Sequence, residues 1–317
     1  MRTRHGLPFV CTNYMKMLLR SVAARVQRDH KVTLCHLLWM GNHPHIIVIA
    51  KDKKACTSFY GELQKQLTES VKRLCGFPYL SLWKNNATSV IPYHDVETVC
   101  YRIGYLYANP ARANLVDTVA DYPGFSSWKE FLSDLSSLNV VYELECPWVQ
   151  QPFIEKLSGL AVSRAEDLRM CQEWKERASE VNFLRIQPNA WMKCFGVSEA
   201  QEVESINNKI IQYHTGLEQE AREKRQRKVM GRKALIAQPL NLTYRSKKPS
   251  RRIFVYSLDP EFRKYLIKKY REFCDACTRC YERWKLGDLS VKWPDGALLP
   301  PVPHIVNDLC SGIESVY

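Results

Sequence analysis

The sequence lacks any apolar stretch long enough to span a membrane or to form the core of a signal peptide. Its first residues, Met1 to His5, are basic, but no hydrophobic segment of signal-peptide length follows them. No later run approaches the length of a transmembrane helix, and no internal repeat is visible. We therefore expect a cytoplasmic protein that does not associate with a membrane.

Acidic residues are scarce relative to basic ones, with 33 Asp and Glu against 46 Lys and Arg and a formal net charge of +13. The excess is concentrated in residues 220–252, where twelve Lys or Arg stand against two Glu. Such a segment is either a solvated arm or a surface that binds the phosphate backbone of nucleic acid. The candidate DNA-binding residues are Arg222, Lys224, Arg225, Arg227, Lys228, Arg232, Lys233, Lys247, Lys248, Arg251 and Arg252.

The chain has 317 residues, of which 45% are hydrophobic and 25% charged, so it is long enough for two soluble globular domains. Its twelve cysteines, without a secretion signal, are expected to be reduced thiols. Cys274, Cys277 and Cys280 have C-x2-C-x2-C spacing, which allows two readings. A zinc site would need His304 or Cys310 as a further ligand, whereas three cysteines at helical spacing also pack as small apolar residues.

Hydrophobic periodicity predicts an α+β fold for the first part of the chain. Helices are expected after Asn13, after Thr57 or Ser58, and after Asp95, where polar residues precede apolar stripes. The resulting order is strand, helix, strand, strand, helix, strand and a further helix, which is the ferredoxin-like arrangement of an antiparallel sheet with helices on its faces. The predicted strands are residues 5–11, 31–40, 43–50 and 87–91.

The chain changes character near residue 139. Ser163 with Glu166, and Ser198 with Gln201, match capping boxes that introduce helices. We therefore predict one domain over residues 1–138 and a mainly helical region over residues 139–317, which carries the basic segment 220–252.

Two histidines follow the tight turn between the predicted central strands. In Met40-Gly-Asn-His-Pro-His45, side chains of the second strand alternate faces, so His43 and His45 point the same way, roughly 7 Å apart. Two imidazoles on one face supply half of a metal site, although either could also be an ordinary core or surface residue.

The helix after Asp95 carries three polar candidates at four-residue intervals. Tyr101, Tyr105 and Asn109 therefore share one face, whereas Tyr107 lies about 200° around the helix from Tyr105 and is a poorer candidate. Tyr105 taken alone could equally be a half-buried aromatic residue.

Four motifs occur in an order that resembles the single-tyrosine HUH transposases associated with REP sequences, over roughly the first 130 residues. They are Met40-Gly-Asn-His-Pro-His45, Leu82-Trp-Lys84, Tyr105-Leu-Tyr-Ala-Asn-Pro-Ala-Arg112 with Ala-Asn-Leu-Val116, and Tyr122-Pro-Gly-Phe-Ser-Ser-Trp128. The resemblance implies that His43, His45 and Asn109 hold a divalent metal and that Tyr105 attacks single-stranded DNA. Pro44 stands where the family has a bulky hydrophobic residue, and it favours the edge of a sheet.

The resemblance also implies the chemistry and the partners. A hard cation, Mg²⁺ or Mn²⁺, suits neutral nitrogen and oxygen ligands when DNA supplies the negative oxygens. The products would be a covalent 5′-phosphotyrosine and a free 3′-OH on single-stranded or hairpin DNA, formed by a monomer or homodimer. Two other classes stay open, namely a DNA- or RNA-binding protein that does not cleave and a metal-dependent hydrolase that uses water.

Overall fold

A computed structural model of the chain describes residues 1–4, 6–84, 90–149, 163–240, 244 and 255–300. The chain divides into two compact units, Met1–Asp259 and Pro260–Tyr317. The first unit combines a four-stranded sheet with helices, which confirms the predicted α+β class. No helix among the described residues is both long enough and apolar enough to span a membrane.

Three helices in the first half of the chain begin where a polar side chain caps them. The side chains of Thr12, Asp52 and Asp95 each accept a hydrogen bond from a backbone amide in the first turn. The predicted cap at Asp95 is confirmed, whereas the second helix begins at Lys53, before the predicted start. The elements are α1 (Asn13–His30), β1 (Thr33–Met40), β2 (His43–Ile49), α2 (Lys53–Leu74) and α3 (Val96–Arg112).

The second half of the chain is not purely helical, because two of its strands complete the sheet. The predicted capping box of Ser163 with Glu166 is present, whereas the helix predicted after Ser198 begins at Ala200 without a side-chain cap. The elements are α4 (Trp128–Ser133), β3 (Tyr142–Trp148), α5 (Arg164–Glu176), β4 (Glu180–Ile186), α6 (Ala200–Glu223), α7 (Arg232–Ile236) and α8 (Pro260–Lys285), with 3-10 turns at Val119–Asp121 and Ala190–Phe195.

The strand order is β2-β1-β4-β3. β1 and β2 form an antiparallel hairpin in which Met40 lies opposite His43 and Leu38 lies opposite His45. β3 and β4 are also antiparallel, whereas β1 and β4 run parallel where Leu34 meets Ile186. The sheet is therefore mixed, and the predicted all-antiparallel sheet is wrong at this parallel pair.

The two faces of the sheet are covered by different helices. Leu37 and Trp39 of β1 belong to a buried cluster with residues of α1 and α2. Leu38 and Met40 point the other way, into a second cluster with residues of α3 and α6, such as Ile103. The alternation of strand side chains thus places α3 and α6 on the face opposite α1 and α2.

Two sequence predictions about the sheet need correction. β2 lies at one edge of the described sheet, so it is not central, and the edge position suits Pro44, which lacks a backbone donor. Residues 6–11 form no strand, although Phe9 N donates to Gly41 O at 3.1 Å. Most of the predicted strand 87–91 lies outside the described residues. The predicted boundary at residue 138 falls within the first compact unit, because β3 and β4 pair with each other and β4 joins β1.

The second compact unit contains the long helix α8. Cys274, Cys277 and Cys280 all lie on this helix as half-buried thiols, and the Cys280 thiol is 3.4 Å from Lys292 O. His304 and Cys310, which a zinc site would need, lie outside the described residues.

Candidate active site

The register of the hairpin decides which way the two histidines point. Residues opposite each other in an antiparallel pair project from the same face, so His43 accompanies Met40 and His45 accompanies Leu38. Met40 and Leu38 face α3, and Ile47, two residues beyond His45, belongs to the same buried cluster. The histidines therefore project from the face of the sheet that α3 covers.

The two imidazoles are close together at the open end of this face. Their ring centroids are 4.8 Å apart with an interplanar angle of 69°. His43 Nδ1 donates to Asn42 Oδ1 at 2.7 Å, which leaves Nε2 as the nitrogen with a free lone pair. His45 Nε2 is buried and has no hydrogen-bond partner among the residues that the structure describes. A ligand at these nitrogens would satisfy a polar atom that is otherwise costly to bury.

Both histidines are held in the neutral form that a metal requires. Burial, reinforced by the positive charge of Arg2, lowers the pKa of His43 from 6.5 to about 4. Burial also lowers the pKa of His45 well below its usual range, and the neighbouring His43 and the charge of Arg102 lower it further. Neutral imidazoles at neutral pH bind a cation without first losing a proton.

Tyr105 lies on α3 between two arginines of the same helix. The Arg102 guanidinium is 4.4 Å from the centroid of the Tyr105 ring, and the Arg112 guanidinium is 4.7 Å from it. Positions 102, 105, 109 and 112 are three or four residues apart, so they share one helical face. The Arg102 charge also lowers the pKa of His45, so the electrostatic effect of this face of α3 reaches the histidine pair.

The amide of Asn109 is folded back onto its own helix. Asn109 Nδ2 donates to Tyr105 O at 2.9 Å and to Leu106 O at 3.2 Å. Leu106 O is the carbonyl that residue 110 would bond in an uninterrupted helix, and Pro110 has no N–H with which to do so. The helix consequently continues through Pro110 to Arg112, so the predicted break at this proline is wrong. The amide oxygen of Asn109 is the atom left for a cation.

The other tyrosines of α3 occupy different surroundings. The Tyr101 ring packs edge-on against Tyr213 of α6, with centroids 5.4 Å apart. Tyr107 is fully buried, and its hydroxyl lies 2.9 Å from both His36 Nδ1 and Ser127 Oγ. Tyr107 is thus a core residue on the side of the helix away from Tyr105. Tyr105, by contrast, contacts Arg102, whose charge acts on His45.

Several residues of the sequence motifs hold the hairpin in place. Tyr122 Oη donates to Trp39 O at 2.8 Å, and Leu37 N donates to Ser127 Oγ at 2.9 Å. Trp83 Nε1 donates to Gln64 O at 2.9 Å, which ties that segment to α2. These residues position the strand that carries the turn before His43.

The described basic candidates separate into two groups. Arg222 lies 3.8 Å from Glu218, Lys224 pairs with Glu220, and Arg225 pairs with Asp117, leaving only 14% of the Arg225 side chain exposed. The prediction that Arg225 contacts DNA is therefore not supported by its position, because it anchors α6 to the loop after α3. The exposed candidates, which form no ion pair within the described residues, are Arg227, Lys228, Arg232 and Lys233.

The exposed basic residues adjoin the end of α3. Asn114, just after α3, donates from Nδ2 to Lys228 O at 3.2 Å, and Gly231 N donates to Leu115 O at 2.8 Å. These bonds fix the segment around residues 228–231 against the loop that follows Arg112. The remaining candidates, Lys247, Lys248, Arg251 and Arg252, lie outside the described residues.

The donor set fits a hard or borderline divalent cation. Two neutral imidazole nitrogens and one amide oxygen are available, and the orphaned nitrogen of His45 points to a missing partner. Among the described residues, no three His, Cys, Asp or Glu side chains form a metal-binding cluster. A cation held by neutral ligands alone keeps its full charge, so it would favour an anionic substrate.

No family model, curated protein or solved structure matches this chain. Its function is therefore inferred from its own residues and their geometry.

Proposed function

We propose that the protein is a metal-dependent single-stranded DNA endonuclease and strand transferase, of the kind found in REP-associated single-tyrosine transposases. The observation that carries the proposal is that the Tyr105 ring on α3 packs against Arg102, whose charge helps to keep His45 of the histidine pair on β2 neutral. On this proposal the α+β core is an HUH endonuclease domain related to the ferredoxin-like fold.

Tyr105 acts as the nucleophile. Its phenolic oxygen attacks the phosphorus of a phosphodiester and loses its proton, a P–O bond to tyrosine forms, and the P–O3′ bond breaks. The leaving 3′ oxygen takes up a proton, so the products are a 5′-phosphotyrosine and a free 3′-OH. Because the number of phosphodiester bonds is conserved, the 3′-OH can later attack the phosphotyrosine and rejoin a strand without ATP.

His43, His45 and Asn109 would hold Mg²⁺ or Mn²⁺. The cation would neutralise charge on the phosphate and act as a Lewis acid. The protein's own contribution is to keep both imidazoles neutral and to fix the His43 tautomer through Asn42. The exposed basic residues beyond Arg112 would bind flanking phosphates of a hairpin and its single-stranded ends.

Trapping of the covalent adduct tests this proposal. Wild-type protein, incubated with a 3′-labelled single-stranded hairpin and Mg²⁺ or Mn²⁺, should give a labelled band of reduced mobility on a denaturing gel that maps to Tyr105. A 5′-labelled hairpin should instead release a shortened labelled strand with a free 3′-OH. Tyr105→Phe should bind the DNA and form no adduct, because only the attacking oxygen is lost. Tyr101→Phe is the matched control on the same helix and should still form it.

The metal ligands are tested in the same assay. His43→Ala and His45→Ala should abolish the adduct with DNA binding largely retained. Cleavage that persists in Tyr105→Phe without an adduct would favour a hydrolase that uses water. DNA binding by wild-type protein without any cleavage would favour a binding protein.

A further inference from the structure

Arg102 lies in a continuous stack of aromatic rings and guanidinium groups. Its guanidinium is 3.7 Å from the centroid of the Tyr256 ring and 4.4 Å from that of Tyr105. Tyr256 stacks in turn on Tyr93, with centroids 6.5 Å apart, and Arg112 covers the Tyr105 ring at 4.7 Å. The stack therefore runs in the order Tyr93, Tyr256, Arg102, Tyr105, Arg112.

The segment that carries Tyr256 is fixed to α3. Leu258 N donates to Thr98 Oγ1 at 3.2 Å, and Ser257 is buried. Tyr93 lies within hydrogen-bonding reach of Arg102. The tyrosines around the guanidinium are thus themselves held by the fold. They restrain the position of the Arg102 side chain.

The Arg102 charge lacks an acidic partner at this site. It forms no salt bridge with any described carboxylate, and its Nε is buried without a hydrogen-bond partner in the described part of the chain. Burial of a cation is costly unless an anion compensates it. The guanidinium carbon lies over the rings of both Tyr105 and Tyr256, and the N–H donors in the guanidinium plane are the groups that can meet a planar pair of anionic oxygens.

We propose that Arg102 binds the non-bridging oxygens of a single-stranded DNA phosphodiester beside Tyr105, and that Tyr105 and Tyr256 position its guanidinium. This inference rests on the proposed function for the identity of the ligand. The neighbours of Arg102 in this stack are tyrosine rings, so an incoming phosphate would meet no acidic group among them. A phosphate at Arg102 would therefore lie against the tyrosine that attacks it on the proposed function.

Binding without cleavage tests the inference. Full-length protein carrying Tyr105→Phe, which keeps the ring and removes the nucleophile, is titrated with labelled oligothymidylate in the presence of a chelator at several salt concentrations. Adding Arg102→Gln should weaken binding roughly tenfold and lower the slope of log K against log salt by about 0.7, the value for one phosphate contact on a single strand. Adding Arg169→Gln, which changes an exposed arginine paired with Glu173 on α5, should change neither.

Two further variants separate charge from position. Arg102→Lys keeps the cation and loses the planar fork, so the salt slope should stay while affinity falls several-fold. Tyr256→Leu removes a ring that positions the guanidinium, so affinity should fall with no change in slope. An Arg102→Gln variant with an altered melting temperature and an unchanged salt slope would show a structural role only and overturn the inference.

The outcomes distinguish this inference from the proposed function. A lower slope in Arg102→Gln together with no adduct from wild-type protein would support the phosphate site and reject the endonuclease. An adduct at Tyr105 together with an unchanged slope would reject the phosphate site and support the endonuclease.

Discussion

The basic residues between α6 and α7 provide the sharpest test of DNA binding, because the structure divides them into matched pairs. Arg227 with Lys228, and Arg232 with Lys233, are exposed without ion pairs among the described residues. Arg222 and Lys224, by contrast, each face a glutamate of α6. Every pair contains one arginine and one lysine, so changing both residues of a pair to glutamine removes the same formal charge.

The expected size of the effect follows from counterion release. Each phosphate contact on a single strand contributes about 0.7 to the slope of log K against log salt. Loss of two contacts should therefore lower the slope by about 1.4. Between about 50 mM and about 200 mM salt, the affinity of such a variant should then fall by a factor roughly seven times smaller than that of the wild type. Arg222 and Lys224 release few counterions on binding DNA because their charges are already compensated, and the neighbouring glutamates repel phosphate.

The measurement is a fluorescence-anisotropy titration of single-stranded DNA over this salt range. The Arg227→Gln, Lys228→Gln variant and the Arg232→Gln, Lys233→Gln variant should each show the reduced slope, and the Arg222→Gln, Lys224→Gln variant should match wild type. Equal reductions in all three would mean that only net charge matters. No reduction in any of them would mean that the segment is a solvated arm.

Two further predictions concern stability. A Cβ at Gly104 would lie 2.8 Å from Tyr213 Cβ and 2.9 Å from His214 N, so Gly104→Ala should force α3 and α6 apart and lower the free energy of unfolding by about 1–3 kcal/mol in a denaturant titration. A Cβ at Gly216 meets nothing within 4 Å, so Gly216→Ala should raise the free energy of unfolding by up to about 1 kcal/mol. Equal effects of the two changes would refute the close approach at Gly104. Burial lowers the pKa of His36 to about 3 and that of His43 to about 4, whereas both have a pKa near 6.5 in the unfolded chain. Below pH 6.5 the unfolded chain therefore binds protons that the folded chain does not, so the stability falls as the pH drops from 6.5 toward 4. His36→Gln should make this fall shallower by about 1.4 kcal/mol per pH unit, and parallel pH profiles for the variant and wild type would contradict it.

The sequence was informative where local chemistry sets structure. The side-chain alternation of a strand is enough to place His43 and His45 on one face, and Asp95 is a strong helix cap that the structure confirms. The spacing on α3 also separates Tyr105 from Tyr107, because a helix turns by about 100° per residue.

Contacts between segments that are distant in the sequence could not be predicted in the same way. In β3, Tyr142, Leu144 and Cys146 alternate with the exposed Glu143 and Glu145, which is a strand pattern, but nothing in that pattern identifies β4 as its partner. Counting basic residues could not show that Arg225 is paired with Asp117, more than a hundred positions away. The contact between Arg102 and Tyr256 joins distant segments as well, and only the Arg102 to Tyr105 spacing of three residues could have signalled part of it.

The proline after Asn109 has a consequence for the entropy of metal binding. A free asparagine side chain samples several rotamers, and a ligand that selects one of them must offset that loss of freedom. Here the carbonyl left without a partner by Pro110 holds the amide nitrogen from the moment the helix forms. The rotamer is thus selected during folding, so the cation that we propose would meet an amide oxygen that is already immobilised. The hydrogen bond that Pro110 cannot make in α3 thus preorganises the Asn109 side chain.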